Sequence, residues 1–169
     1  MPATEQTEIA QDPDYVIRTE FANSFAEIQE HVHTTAQSKG WWADEAAIQE
    51  EADDVGRALK VYVTPSLGAV LRRAHDMLTN AADKIRTYGD AGRVALMHAE
   101  LSEALEALRE GNPPSKKIPG FSSVEEEFAD TVIRIMDMSQ RNGYRLAEAI
   151  LAKAHYNTTR SHRHGGKAF

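Results

Sequence analysis

The sequence predicts an all-α protein, an antiparallel helix bundle, on three observations. Apolar residues recur every three or four positions along most of the chain. The breaks between these stretches carry helix-stop and helix-start chemistry, and no β-hairpin signal or period-two run interrupts them. Asp12-Pro13 reads as a helix start, since proline is tolerated in the first turn. Ile17, Phe21, Phe25 (or Ser24), Ile28, Val32 and Ala36 then form the apolar stripe, and Gly40 ends the helix just before Trp41-Trp42. Asp44 can cap a second helix, in which Ala47, Glu51, Val55 and Leu59 give a poorer apolar stripe. After the break at Thr64-Pro65-Ser66, a third helix carries Leu67, Val70, Leu71, Ala74, Met77, Leu78, Ala81 and Ile85. That stripe needs a partner, and another subunit would provide one.

Gly89-Asp90-Ala91-Gly92 is expected to be a turn, followed by a fourth helix from about Arg93 to Glu110 with Leu96, Leu101, Leu105 and Leu108. Gly111-Asn112-Pro113-Pro114 stops it. A basic, proline-containing loop with Lys116 and Lys117 follows. Ser122-Ser123-Val124-Glu125 is a capping-box-like start to helix five. Helix five buries Val124, Phe128, Val132 and Ile135, or the adjacent Ile133/Met136 row. Asn142-Gly143 ends it, and a last helix holds Leu146, Ile150 and Leu151. The expected organisation is an N-terminal segment 1–12, one helical domain over 13–162 and a basic tail 163–169, with 44–90 as an intervening region of unusual length.

Bulk properties narrow the function. A chain of 169 residues suits one domain, or a subunit that completes its core by oligomerising. A formal charge of −7 argues against a general nucleic-acid surface, but not against a small anionic ligand held through metal. With no cysteine there is neither a disulfide framework nor a thiol nucleophile. No membrane-length apolar run or signal segment is visible, so a cytoplasmic location is expected.

The acidic pairs Glu100/Glu103 and Glu127/Asp130 carry the chemistry. Each has i, i+3 spacing, which sets both carboxylates on one helix face. In an antiparallel pair of helices joined by about a dozen residues, the two pairs fall at nearly one height. Four converging carboxylates repel one another, and a hard divalent cation relieves that; oxygen-only ligation suits Mg²⁺, or Mn²⁺ in its place, rather than zinc. The competing account is a set of solvated acids, and Glu126, four residues before Asp130, leaves the register of the second pair open. Lys153, Asn157 and Arg160 form one helical stripe suited to phosphate oxygens and a sugar hydroxyl, or to a helix C-terminus. His155, His162 and His164 are not spaced for a zinc site, and no nucleophile-elbow signal supports Ser/His/Asp catalysis.

Ala99-Glu100-Leu101-Ser102-Glu103-Ala104, followed by Glu127-Phe128-Ala129-Asp130, resembles the split acidic motif of the MazG-like, all-α nucleotide pyrophosphohydrolases. Lys153-x-x-x-Asn157-x-x-Arg160 with His164-Gly165-Gly166-Lys167 is similar to the C-terminal signature of a phage and bacterial branch. Ile28 to Trp42 is similar to that branch's first helix and following turn. The resemblance spans roughly residues 15–42 and 93–169, and one departure is Ala99 where the family usually has glutamate. It implies a bundle of the all-α NTP pyrophosphatase type, working as a homodimer or homotetramer. It also implies Mg²⁺-dependent hydrolysis of a nucleoside triphosphate to monophosphate and pyrophosphate. The implied metal ligands are Glu100, Glu103, Glu127 and Asp130, with Glu100 and Glu103 catalytic and Glu100 expected to orient or deprotonate the attacking water. Substrate contacts would come from Lys153, Asn157, Arg160, His31, Trp42 and Lys167. Ala99 keeps a second expectation open, a non-catalytic nucleotide-binding or protein-interaction module on the same scaffold.

Overall fold

A computed structural model describes residues 13–61 and 64–159, and every regular element in them is a helix. α1 spans Pro13–Ser38, α2 Ala43–Ala58, α3 Pro65–Arg109, α4 Ser123–Arg141 and α5 Leu146–Thr158. None of these helices is long and apolar enough to cross a membrane. α3 packs against both α2 and α4, while α1 packs against α4 and α5.

Local chemistry sets the helix ends. Gly40 takes a φ of +80°, which an L side chain rarely adopts, so α1 stops there. Asp44 falls inside the first turn of α2 rather than at its cap, where its charge still favours the helix N-terminus. Thr64 caps α3, accepting from the Leu67 amide at 3.4 Å, with Pro65 in the first turn. Ser122 and Glu125 form a reciprocal capping box at the start of α4. The Ser122 backbone and hydroxyl both donate to Glu125, holding its carboxyl below the ordinary carboxylate range. Asn112, at φ +53°, accepts from the Val124 amide at 3.1 Å and fastens the end of α3 to the start of α4.

The expected turn at Gly89–Gly92 does not form: α3 runs through it for 45 residues. Each internal glycine disfavours helix by about 1 kcal/mol relative to alanine, and packing on both sides offsets this. Near one end Gly56 of α2 approaches His75, so that an added Cβ would lie 3.3 Å from the ring. Farther along, Asn142 donates to Asp90 at 3.3 Å, and Arg134 of α4 pairs with Glu100. Gly89 also leaves space for its neighbour one turn on, since a Cβ there would sit 2.6 Å from Arg93 Nη1.

The core of the single chain is thin. Six of the nine buried apolar residues among those described are alanines. Val124 and Met136 are buried as expected, but Phe128 and Val132, with Leu101, Leu105 and Leu108 of α3, are largely exposed. Ala104 and Ala107 line the buried side of α3 together with Glu100, while Glu127 and Thr131 are buried on α4. Polar groups thus take the α3–α4 contact and the larger apolar side chains turn outward.

Candidate active site and metal centre

The connection between α3 and α4 folds back on itself. Ser115 donates its amide to Phe121 and Ser123 donates to Pro113, both at 2.8 Å, so the two helices return alongside each other. This return brings Glu100, Glu103 and Glu127 together, with one carboxylate oxygen of each within 4.8 Å of the others. Glu100 and Glu127 are buried, and Glu103 is exposed at the edge of the cluster. Asp130, half-buried one turn along α4, stands outside this set.

Glu126 turns elsewhere, which resolves the register of the second acidic pair. Its carboxylate accepts from the Ser115 hydroxyl and pairs with Lys117 Nζ at 2.6 Å. The hydrogen bonds from Lys117 and Ser115 hold Glu126 below the usual carboxylate range. The Lys117 ammonium is raised in turn by the same bond and by the Glu126 charge. Ser115 Oγ also accepts from the Lys117 and Ile118 amides, so one buried hydroxyl organises the loop.

Electrostatics distinguish the three converging glutamates. Burial, the adjoining carboxyl of Glu100 and the charge of Glu103 push the Glu127 pKa above its ordinary value. Glu127 Oε2 is buried and has no hydrogen-bond partner, a costly condition for a carboxylate oxygen. Glu100 is compensated: Arg134 donates from Nε at 2.7 Å to its Oε1, and Nη2 forms an ion pair with the same oxygen at 2.6 Å. The donor set therefore fits a hard divalent cation. Three carboxylate oxygens converge, Glu127 also carries a buried oxygen without a partner, and the cluster has no nitrogen or sulfur donor to favour zinc.

Arg134 also lines a cavity of about 720 Å³, with Trp41, Arg93, Leu96 and Asp137 among the other walls. This volume suits a nucleotide-sized ligand. Trp41 is 55 % exposed, and the Arg134 guanidinium lies 5.8 Å from its ring centroid. Trp42 is 5 % exposed and already occupied. Its indole nitrogen donates to both Asp137 oxygens, at 3.1 and 3.2 Å, and Arg93 stacks 3.4 Å from its ring centre. Of the paired tryptophans, the first faces this cavity and the second packs against Arg93 and Asp137.

His31 is exposed on α1 and borders a separate apolar hollow of about 230 Å³ with Val32 and Ile133. Two residues on, His33 faces the interior and donates from Nδ1 to Asp137 at 2.6 Å. His33 and Trp42 line a second, polar cavity of about 730 Å³. Lys153 and Asn157 lie exposed on α5, Lys153 Nζ resting 4.5 Å from the Tyr156 ring centre. Arg160 and Lys167 lie outside the described residues, as do segments 1–12 and 163–169.

Sequence spacing did not single out Arg93, Arg134, Asp137 or His33. The available signal was Arg134 itself, seven residues after Glu127 and so close to the same helix face. Comparisons with family models, curated proteins and solved structures gave no match.

Proposed function

We propose that this chain is a Mg²⁺-dependent nucleoside triphosphate pyrophosphohydrolase, releasing monophosphate and pyrophosphate. The observation that carries this reading is the double role of Arg134. One guanidinium binds Glu100 in the carboxylate cluster and lines the adjoining nucleotide-sized cavity. A charged site and a ligand seat are thereby continuous.

In this reading Glu100, Glu103 and Glu127 hold the cation, with Asp130 close by on α4. A divalent cation held there would supply Lewis-acid polarisation of the phosphate and charge neutralisation for the pyrophosphate leaving group. The residues of the chain do the rest. Arg134 fixes the Glu100 carboxylate in one orientation and presents its remaining donors to phosphate oxygens. Trp41 offers an exposed aromatic face to a base, and Arg93 adds positive charge on the same wall. A water attacks the α-phosphorus: its oxygen–phosphorus bond forms while the bridging bond to the β-phosphate breaks. Glu103, the exposed member of the cluster, takes the water's proton, with Glu100 orienting the water beside it. Lys153, Asn157, Arg160 and Lys167 remain candidates for holding phosphate and sugar from the C-terminal segment. The exposed apolar side chains suit a homodimer or homotetramer, and a role in nucleotide-pool sanitation or control would follow from the resemblance to the pyrophosphohydrolases.

The test is a panel of dNTPs and NTPs with Mg²⁺ or Mn²⁺, with nucleotide products, pyrophosphate and orthophosphate measured separately. Monophosphate with equimolar pyrophosphate is expected, and Glu103→Gln abolishes it while the helical signal stays unchanged. If every nucleotide survives with both cations, the hydrolase reading fails. A second reading, a nucleotide-binding module without turnover, is favoured by Ala99 and by the compensation of Glu100 by Arg134. It requires tight nucleotide binding that Glu103→Ala leaves unchanged.

A further inference from the structure

Gly89 and Gly92 of α3 lie in the wall of the cavity that Arg134 joins to the carboxylate cluster. Arg134 ties one end of this stretch to Glu100, and Asn142 ties the other to Asp90. Between the two ties, Arg93 turns its guanidinium away from the cluster. A Cβ added at Gly89 would fall 2.6 Å from Nη1, so the missing side chain is the space in which that group lies. Gly89 stands about 16 Å of helix before Glu100. Trp42 supplies the surface beneath, with the guanidinium carbon 3.4 Å from its ring centre. The ring is itself fixed, by Asp137 accepting from the indole and by His33 set edge-on at 5.6 Å. Arg93 makes no hydrogen bond among the described residues, and its one ion pair there, with Asp90, is 4.0 Å long. A guanidinium lying flat on a ring keeps its N–H donors in its own plane, directed outward from the edge. Arg93 is thus a held donor fork at the end of the cavity remote from the cluster.

We propose that Arg93 reads the base of the bound nucleotide, and that the base is a 6-oxopurine. The inference rests on the nucleotide reading of this cavity. Phosphates seated at Glu100, Glu103 and Glu127 leave the base as the part of the ligand that reaches toward Gly89. An arginine fork matches two adjacent acceptors, and the O6/N7 edge of guanine is such a pair. Hypoxanthine carries the same pair, whereas adenine puts an amino donor beside N7 and so opposes donor to donor. Gly89 and Trp42 are positioning residues in this account. One leaves room for the fork and the other fixes its plane.

Titration calorimetry of the full chain in Mg²⁺, with non-hydrolysable α,β-methylene triphosphates, tests this without requiring turnover. The guanine and hypoxanthine analogues are expected to bind about tenfold tighter than those of adenine and cytosine. A 7-deazaguanine analogue, lacking the N7 acceptor, should lose that advantage. Arg93→Lys keeps the charge without the fork and should erase the preference. Gly89→Ala is the sharper variant, because its methyl group displaces the guanidinium while alanine favours the helix. It should melt no lower than the wild type and still lose the tenfold preference. Analogues that bind without preference, or a preference that Gly89→Ala and Arg93→Lys both retain, overturn the inference and leave the nucleotide reading standing. So does an Arg93→Gln variant that weakens inorganic tripolyphosphate as much as the guanine analogue, since the fork would then serve phosphate. If no analogue binds at all, the nucleotide reading falls and this inference falls with it.

Discussion

Glu127→Gln should make the cation-free protein more stable and abolish its response to divalent cations. The substitution keeps the shape of the side chain and removes one charge from a site where three carboxylates approach within 4.8 Å. At that separation a like-charge pair costs about 3.5 kcal/mol at an effective dielectric of 20, and about 0.9 kcal/mol in water. Glu127 is buried but Glu103 is exposed, and Arg134 offsets Glu100, so a net gain of about 1–3 kcal/mol is expected. For a chain of this size each kcal/mol shifts Tm by about 2–4 °C, giving a rise of roughly 2–12 °C in EDTA. Saturating the wild type at a hundred times Kd adds about 2.7 kcal/mol, and the variant should lose that increment. The pH dependence has a definite sign. The pKa of Glu127 is raised in the fold, so the folded state holds this proton more tightly than the unfolded one. The penalty is complete above the raised folded pKa, declines as pH falls through it, and is gone below the ordinary value near 4.5. The gap between variant and wild type should close over that window. Differential scanning calorimetry in EDTA and in Mg²⁺ measures both effects. A variant less stable than wild type in EDTA, yet still stabilised by Mg²⁺, would refute the electrostatic account.

The paired tryptophans should separate cleanly. Trp42→Ala should cost about 3–5 kcal/mol in denaturant titration, as expected for a buried aromatic. Trp41→Ala should leave stability within about 0.5 kcal/mol and raise the nucleotide Kd measured by calorimetry. Arg134→Gln should tighten cation binding, because the cluster loses its compensating charge, while nucleotide affinity falls; equal weakening of both would make Arg134 merely structural. Ser122→Ala should cost about 1 kcal/mol by removing the N-cap of α4. The stability associated with Glu125 should be present above the ordinary carboxylate pKa and be lost as pH falls through its lowered folded value. Thermal melts from neutral to acid pH, with Glu125→Gln as reference, check this.

Helix ends were the most legible part of the fold, because Pro13, Gly40, Thr64 and Ser122 act through their own backbones and immediate neighbours. The long α3 was not legible at Gly89–Gly92. Local propensity there favours a turn, and the groups that hold the helix, Asn142 and Arg134, lie more than thirty residues away. The acidic motif identified which carboxylates to consider, but spacing alone could not choose between Glu126 and Glu127. The choice falls to Ser115 and Lys117, which draw Glu126 to the loop. Likewise, adjacency could not say which tryptophan faces outward. Asp137 decides it by accepting from the indole of Trp42, and it selects His33 over His31 in the same way. Phe128 and Val132 of the first expected stripe on α4 turn outward because the α3–α4 contact is built from carboxylates and alanines, a pattern that apolar periodicity does not register.

The unbroken α3 also sets how the molecule moves through water. Its 45 residues span about 68 Å, whereas a sphere enclosing a chain of this length would be about 40 Å across, from a radius of gyration near 15 Å. A rod of that length raises hydrodynamic drag well above that of a sphere of equal mass. A single chain will thus elute from a sizing column at the position of a larger globular protein. Elution volume would report the helix rather than the stoichiometry, and only mass-sensitive methods can count the copies.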